Sequence, residues 1–489
     1  MITKSPLTRA GGGSGARERG APGGGMATRR VEKRAVESLR GVRTADEARA
    51  WMAARRVEEV ECLVPDVAGV PRGKLMPAGK FLDGAAMTMP GSIFFQTISG
   101  DYPDLTGIDV IDPADGDLVF VPDYSTLCLT PWEQDPTAQI IHDAVHRDGR
   151  PVELSPRHVL RRVISFFEEQ GWHPVVAPEI EFYLVKPNTD PDYPLEPPVG
   201  RSGRAEFGRS SYSITAMNEF DPLFDDIYSF TADQGLEIET LIHEEGAAQM
   251  EINLRHGDAL DLADQVFMFK RTIREAALRH DIYATFMAKP IAREPGSAMH
   301  IHQSIVDAKG ENIFSGPDGE ATDTFYSYIA GLQTYLPAVM AMMAPHVNSY
   351  RRLLRYTAAP INIQWGHDNR TVGIRVPYSS PAARRIENRV PSSDANPYLA
   401  IAASLACGWL GIKEGLKPTE PIEGSARHLP YDLPRGLLEA VALFEECEPL
   451  AELFGEGFVK VFSRIKQEEF ETFMRVISPW EREYLLMNV

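Results

Sequence analysis

The segment VAPEIEFYLV, residues 176–185, decides how the rest of the chain is interpreted. Side chains alternate between the two faces of a strand, so Glu179 and Glu181 share one face while Ile180 and Phe182 share the other. β-branched and aromatic residues favour a strand here. We therefore predict a strand with one apolar face and a second face that carries two acids.

Three further segments, 248–254, 299–305 and 383–390, repeat this alternation. Their polar faces carry Gln249, Glu251 and Asn253, then His300, His302 and Ser304, then Arg385, Glu387 and Arg389. An antiparallel sheet with one solvated face would explain any single strand. Four such strands together favour a shared polar channel, because buried charges persist when they are paired or bound to metal.

The acids and one imidazole on and beside these strands are candidate metal ligands. They are Glu179, Glu181, Glu244, Glu251, Glu387 and His300. Five oxygen donors with one imidazole and no thiolate favour Mg²⁺ or Mn²⁺ over zinc or copper. Two or more ions would offset the repulsion between clustered carboxylates.

Composition restricts the class of protein. The 489 residues are 43% apolar and 24% charged, as in globular proteins of two or three domains. A formal net charge of -19 argues against a nucleic-acid partner. The chain contains no run of 18 apolar residues that would span a membrane. Its four widely spaced cysteines argue against a disulfide framework, so we expect a cytoplasmic protein.

Three regions follow from the pattern along the chain. Residues 1–43 are Gly-rich and basic, and we expect a disordered tail in which Met26 is a possible start. Residues 44–143 combine a helix at 45–56 with short strands at 58–63, 117–122 and 125–129. Residues 144–489 add helices at 156–170 and 260–280 and a mainly helical end, which indicates an α+β protein.

Six segments resemble, in order, the signature motifs of the glutamine synthetase family: APEIEFYLV, HEEGAAQME, GSAMHIHQS, NSYRRL, DNRTVGIRVP and RRIENRVPSSDANPYLA. The resemblance covers about residues 45–489. It implies a small β-grasp-like N-terminal domain and a larger catalytic domain with a curved antiparallel sheet and flanking helices. It also implies stacked rings of subunits, in the form of a dodecamer, with each active site between neighbours.

The resemblance also implies the reaction that the family catalyses. ATP phosphorylates glutamate to γ-glutamyl phosphate, and an amine then displaces the phosphate. By position, one metal would be held by Glu181, Glu244 and Glu251, and a second by Glu179, His300 and Glu387. The positions that match ATP contacts are Glu239, His302, Ser304 and Arg385. Those that match glutamate contacts are Gly296, Arg352 and Arg389, and those that match catalytic phosphate contacts are Arg370, Arg375 and Arg389.

Two acids that serve ammonium in glutamine synthetases are missing. MTMPGSIFFQ, residues 87–96, has Met89 or Pro90 where the family has the first acid, and YTAAP, residues 356–360, has Ala358 in place of the second. Their loss removes charge that attracts a small cation, and we expect Phe94, Phe95 and Ala358 to line an apolar slot. These departures resemble the γ-glutamylputrescine (γ-glutamylpolyamine) synthetase branch, which implies putrescine or another polyamine as the amine and a role in polyamine catabolism.

Alternatives remain at this point. A glutamine synthetase that uses ammonia, a ligase for a monoamine and a catalytically silent homologue are each compatible with parts of the pattern. Asp101 and Asp104, beyond the altered motif, either attract the distal ammonium of a diamine or are solvated loop acids.

Overall fold

Two β-sheets organise the chain in the computed structural model, which describes residues 37–355 and 357–489. The first sheet has six strands: β1 (Glu59–Pro65), β2 (Pro71–Pro77), β3 (Met87–Pro90), β4 (Asp117–Pro122), β5 (Cys128–Leu129) and β6 (Thr137–Val145). Its order is β2-β1-β6-β4-β3, with β5 also paired to β6. The β1–β6 pair is parallel and the other pairs are antiparallel.

The start of the described chain is attached to this first sheet region. Helix α1 (Ala45–Arg55) begins at Thr44, whose hydroxyl accepts from the Glu47 amide, and α2 (Ala78–Leu82) follows β2. Just before α1, the Gly41 amide donates to the Leu127 carbonyl, and Arg40 pairs with Asp261. These contacts lie inside the predicted tail 1–43, while residues 1–36 lie outside the described part.

The second sheet has nine strands: β7 (Trp172–Val185), β8 (Ile238–His243), β9 (Gln249–Leu254), β10 (Gly257–Asp258), β11 (Tyr283–Thr285), β12 (Met299–Asp307), β13 (Trp365–His367), β14 (Ile374–Val376) and β15 (Ile386–Asn388). The order is β13-β14-β15-β12-β7-β9-β8, and β10 and β11 also pair with β7. Only the β13–β14 pair is parallel. The long strand β7 therefore runs through the middle of a largely antiparallel sheet.

Helices cover this sheet and form the end of the chain. They are α3 (Pro156–Glu168), α4 (Ile214–Met217), α5 (Asp221–Asp233), α6 (Ala259–Leu278), α7 (Asp323–Met343), α8 (Pro397–Glu414), α9 (Leu437–Glu446), α10 (Glu448–Phe454), α11 (Glu456–Met474) and α12 (Pro479–Leu485). Helices α7 and α8 approach closely at two glycines. A Cβ on Gly331 would lie 2.7 Å from the Gly411 Cα, so only glycine allows this packing.

A buried charge network ties the first sheet to the helices of the second. Arg157 on α3 donates to Asp264 on α6 at 2.8 Å and to Asp123 at 2.7 Å, and it also pairs with Asp143 on β6. The Tyr398 hydroxyl donates to Asp264 at 2.7 Å. Because its donors meet three carboxylates, the buried guanidinium is satisfied, and the two sheets are held in one arrangement.

Two predicted strands differ from the structure. Residues 125–129 were expected to be one strand, but Tyr124–Thr126 is a 3-10 turn and only Cys128–Leu129 pairs. The predicted strand 383–390 is extended and paired in a named strand only at Ile386–Asn388, and its start is instead part of the 3-10 turn Pro381–Ala383. The cysteines are all free. Among the described helices none is long and apolar enough to cross a membrane.

Candidate active site

The register of the second sheet brings the predicted polar faces together. On β12, His300 lies opposite Glu179 of β7. On the other side of β7, Glu251 lies opposite Glu181. Across the next pair, Glu387 of β15 lies opposite His302. Four strands separated by long stretches of sequence thus place their acids and imidazoles on adjoining positions of one sheet.

One cavity of about 440 Å³ collects all six predicted metal ligands. Its lining includes Glu179, Glu181, Glu244, Glu251, His300 and Glu387. Most of these side chains are buried, and Glu387 is fully enclosed. The shared polar channel that the alternation predicts is therefore present.

The described residues contain two groups of possible ligand atoms, and within each group the atoms lie within 4.8 Å of one another. One consists of Glu179, Glu251 and His300, and the other of Glu179, His302 and Glu387. This grouping differs from the expected one, because His302, predicted to contact ATP, hydrogen-bonds Glu179 at 2.8 Å. Glu181 and Glu244 belong to neither group, and one carboxylate oxygen of Glu181 accepts from the Ala298 amide at 2.8 Å.

The electrostatics of one end of the cluster fit a divalent cation. Burial, with repulsion from Glu179 and Glu181, raises the pKa of Glu251. Burial and repulsion from Glu244 likewise raise the pKa of Glu181, and burial raises the pKa of Glu244. Buried carboxylates that lie this close together need a counter-charge to stay ionised. Carboxylate and imidazole donors without thiolate fit Mg²⁺ or Mn²⁺ in that role.

At the other end of the cluster, arginine side chains supply the counter-charge to the carboxylate of Glu387. Glu387 accepts from Arg375 at 2.6 Å and also pairs with Arg389. Burial would raise the pKa of Glu387, but Arg389 and the imidazoles of His300 and His302 lower it to about 2. Glu387 is therefore a carboxylate at neutral pH.

A second cavity, of about 530 Å³, lies beside the first and shares Glu179 and Asn253 with it. All four residues predicted to contact ATP line it: Glu239, His302, Ser304 and Arg385. The Arg385 Nε donates to His302 Nδ1 at 3.2 Å, and His302 in turn contacts Glu179. The predicted nucleotide contacts and the carboxylate cluster are thus joined by side chains that touch.

The predicted glutamate and phosphate residues line the first cavity. They are Gly296, Arg352, Arg370, Arg375 and Arg389. The buried Arg352 donates to the carbonyls of Val390 at 2.7 Å and Arg389 at 2.9 Å, which fixes its position. A Cβ on Gly296 would lie 2.6 Å from the Arg352 Cγ, so the close approach requires glycine.

Several residues of the cavity were not assigned a role from the sequence. Gln249 donates to Glu181 at 3.3 Å and to the Gly296 carbonyl at 3.2 Å, which links a predicted ligand to the predicted glutamate side. Its place on the polar face of β9 was the available signal. Ser211 and Tyr212 also line the cavity, but they lie in an irregular segment where no periodicity marks them.

The predicted amine slot is only partly present. Ala358 lines the first cavity, as expected. The prediction for Phe94 is wrong, because its side chain is fully buried against Phe120, with ring centroids 6.4 Å apart. Phe95 lines a different cavity of the same chain. An apolar side chain next to a sheet is as easily a core residue as a slot residue, and sequence alone does not separate the two.

Comparison with known proteins agrees with this geometry. The family profile described as glutamine synthetase, catalytic domain, matches residues 153–485. A glutamate–isopropylamine ligase of Pseudomonas sp is 36% identical over 432 residues, which are 85% of this chain and 92% of the relative. The γ-glutamylputrescine synthetase PuuA of Escherichia coli K12 is 34% identical over 438 residues, which are 88% of this chain and 92% of the relative. A glutamine synthetase of Pyrococcus abyssi is 35% identical over 434 residues, which are 87% of this chain and 93% of the relative.

A solved structure gives the same result for the fold. The structure entitled "Apo GmaS without ligand" is 30% identical, covers 90% of this chain and 99% of its own, and has a TM-score of 0.77. The predicted α+β class with a curved sheet and flanking helices is thereby confirmed. With a family profile that matches well over half of its length and relatives above 30% identity, this chain belongs to the glutamine synthetase family.

Proposed function

We propose that the protein is an ATP-dependent ligase that joins the γ-carboxylate of glutamate to an organic amine through γ-glutamyl phosphate. Putrescine or another polyamine is the amine that we propose first. The observation that supports the reaction is the junction of the two cavities, where the carboxylate cluster meets the predicted ATP contacts at Glu179. Two or more Mg²⁺ or Mn²⁺ ions would be held by Glu179, Glu181, Glu244, Glu251, His300 and Glu387.

The arginines of the first cavity suit the phosphorylation of a carboxylate. An attacking carboxylate and the γ-phosphate repel each other, and guanidinium groups or metal ions offset that charge. Metal ions, when bound, would supply such charge stabilisation at the phosphates. Arg370, Arg375 and Arg389 face the same cavity as the acids, so they are placed to neutralise the phosphoryl oxygens. Arg352, fixed by two carbonyls, would orient glutamate.

The choice of an organic amine rests on the missing acids. Ala358 lines the cavity with no charge to hold ammonium, and Met89 is buried in β3. Two relatives above 30% identity are named for isopropylamine and putrescine, which are amines with hydrocarbon stems. A monoamine is the second candidate, because the isopropylamine ligase is as similar as the putrescine enzyme. Ammonia is a third candidate, since the Pyrococcus relative is a glutamine synthetase.

We also propose self-association into stacked rings, most simply a dodecamer. The end of the chain supports an association surface, because it exposes a run of large apolar side chains. These are Phe473, Met474, Val476, Ile477, Trp480, Tyr484, Leu485, Leu486, Met487 and Val489. Many large apolar side chains exposed within one short segment suit a surface that another molecule covers.

The test is ADP release by the purified full-length protein with ATP, Mg²⁺ and glutamate. Putrescine, isopropylamine, methylamine, ethanolamine and ammonium are compared as acceptors, and reactions without glutamate are the control. We expect an organic amine to give the highest kcat/KM. A preference for ammonium would contradict the proposed substrate, and no glutamate-dependent ADP release with any acceptor would contradict the proposed reaction.

A further inference from the structure

A cavity of about 840 Å³ lies away from the carboxylate cluster. It is enclosed by the β1–β2 turn, helix α6, the segment 284–287, the segment 346–351 and the end of helix α11. Its apolar lining includes Phe267, Phe286, Met287, Val347, Leu437 and Phe473. None of the residues assigned to metal, ATP, glutamate or phosphate lines this cavity.

Two arginines of this cavity are held by aromatic rings rather than by acids. The Arg274 guanidinium lies over the Phe286 ring at 4.9 Å, and the Arg351 guanidinium lies over the Phe473 ring at 5.7 Å. In residues 37–355 and 357–489, neither side chain forms an ion pair or a side-chain hydrogen bond. An aromatic ring that packs against a guanidinium group holds the group in place and leaves its N–H donors free to bind an anion.

The other charges of the cavity are already matched. Arg271 pairs with Glu61 outside the cavity. The Lys270 ammonium donates to the carbonyls of Ser393 at 2.6 Å and Ala395 at 2.9 Å. Among the acids, Glu469 pairs with Lys466 at 2.9 Å and with His346 at 3.5 Å.

Two lining acids remain. Asp394 accepts from the Ser349 hydroxyl at 2.8 Å, and its charge acts on the neighbouring Lys270. Glu275 lies within the field of Arg271. The guanidinium groups of Arg274 and Arg351 are therefore the cations of this cavity whose side chains have neither an ion pair nor a hydrogen bond within the described chain. An anion with an apolar body would satisfy both them and the phenylalanine-lined wall.

Hydrogen bonds of Ser393 and the neighbours Arg351 and Arg352 connect this cavity to the active site. Ser393, whose carbonyl accepts from Lys270, donates through its hydroxyl to the carbonyl of Glu181, and its amide donates to Ser297 at 3.0 Å. Arg351 is adjacent in sequence to Arg352, which lines the carboxylate cavity. A ligand that contacts Arg351 or shifts Lys270 therefore acts on the segments that hold Arg352 and Glu181.

We propose that this cavity is a second ligand site, for a small organic dianion with a hydrocarbon body, bound through Arg274 and Arg351. Occupation of the site changes the apparent affinity for glutamate, because the ligand and Arg352 share the segment 346–352. Dicarboxylates have the required charge and stem, and phosphate has the charge alone.

The site is tested by titration calorimetry of the full-length protein with glutarate, inorganic phosphate and butyrate. We expect saturable binding of glutarate, with at least tenfold weaker binding of butyrate. Arg274→Gln and Arg351→Gln should each weaken glutarate binding at least tenfold. Arg279→Gln is the matched control, because Arg279 also lies at the end of α6 over a ring, Phe230 at 5.1 Å, but outside the cavity.

Each result decides the proposal. Tighter binding of phosphate than of glutarate through the same arginines would overturn the hydrocarbon-bodied ligand. Glutarate binding that is absent from the unaltered protein, or that survives in both arginine variants, would overturn the site.

The coupling is tested by the KM for glutamate, which should change at least twofold with glutarate in the unaltered protein and in Arg279→Gln but not in Arg274→Gln. An unchanged KM would overturn the coupling. Because binding is measured without ATP or an amine, the binding test is independent of the proposed ligase reaction, whereas the KM test of the coupling rests on that reaction.

Discussion

The negative charge of the buried carboxylates is balanced differently at the two ends of the cluster. At one end, Glu387 is fully buried but meets Arg375 and Arg389, and its pKa is about 2. At the other end, Glu181 and Glu251 face each other across a strand pair. Burial raises both pKa values, with repulsion from Glu244 on Glu181 and from Glu179 and Glu181 on Glu251. The protein therefore provides its own counter-charge at one end and depends on cations at the other.

This difference explains why the acids of the two ends are not interchangeable. Glu387 combines a position among possible ligand atoms with two ion pairs, so it fixes the arginines that face the substrate cavity. Glu251 has no basic partner in the described chain, so its carboxylate is left for a metal ion.

Glu251→Gln should lower glutamate-dependent ATP turnover on the order of 10³-fold, because charge stabilisation at the transferred phosphate is worth this much or more. ADP release at saturating Mg²⁺ is the measurement. Glu237→Gln is the control, since Glu237 is an exposed acid paired with Arg255 at 2.7 Å just before β8. Unchanged turnover in Glu251→Gln would refute the metal role of this end of the cluster.

Metal binding should stabilise the unaltered protein by about 2.7 kcal/mol at a Mn²⁺ concentration one hundred times its dissociation constant. The gain should be largely lost in Glu251→Gln. In a chelator the order should reverse, with the variant at least as stable as the unaltered protein, because the substitution removes a repelling acid from a buried site. Thermal unfolding with and without Mn²⁺ checks both parts, and equal Mn²⁺ gains in the two proteins would contradict them.

Ala358→Glu should shift the ratio of kcat/KM for ammonium to that for the preferred organic amine by about tenfold towards ammonium. The added carboxylate faces the cavity, where it attracts a small cation and fills volume that a hydrocarbon stem would use. Ala358→Gln has the same size without the charge and is the matched control. A ratio that moves equally in both variants would show that volume alone decides the choice of amine.

The smallest effect concerns Lys270, a buried cation that carbonyls rather than an acid hold. Burial, with repulsion from Arg274, lowers its pKa to about 7, so between pH 7 and its unfolded value the unfolded chain binds more protons. Stability therefore rises with pH in this window, by up to about 1.4 kcal/mol per pH unit from this group. Urea unfolding from pH 7 to 9 should show a flatter profile in Lys270→Met. Lys186→Met, at an exposed ion pair with Glu196, should leave the slope unchanged.

Local patterns predicted much of the site. Alternation along 176–185 placed Glu179 and Glu181 on one face, and the same alternation placed Glu251, His300, His302 and Glu387 on the faces that meet in one cavity. The ordered motifs predicted the family, because six short segments in order carry far more information than any one of them. Helix α6 was predicted at 260–280 and lies at Ala259–Leu278, since apolar spacing is a local property.

Which side chains share a strand face can be predicted from the residues alone, because it depends only on the two-residue repeat of a strand. Which faces adjoin depends on the folded chain, since register is set by pairing between distant segments. The tertiary structure placed His302 on Glu179 rather than apart from the metal ligands, and it enclosed Phe94 in the core. It also formed the cavity of Arg274 and Arg351 from segments that no periodicity connects, because a cavity is a property of packing between elements.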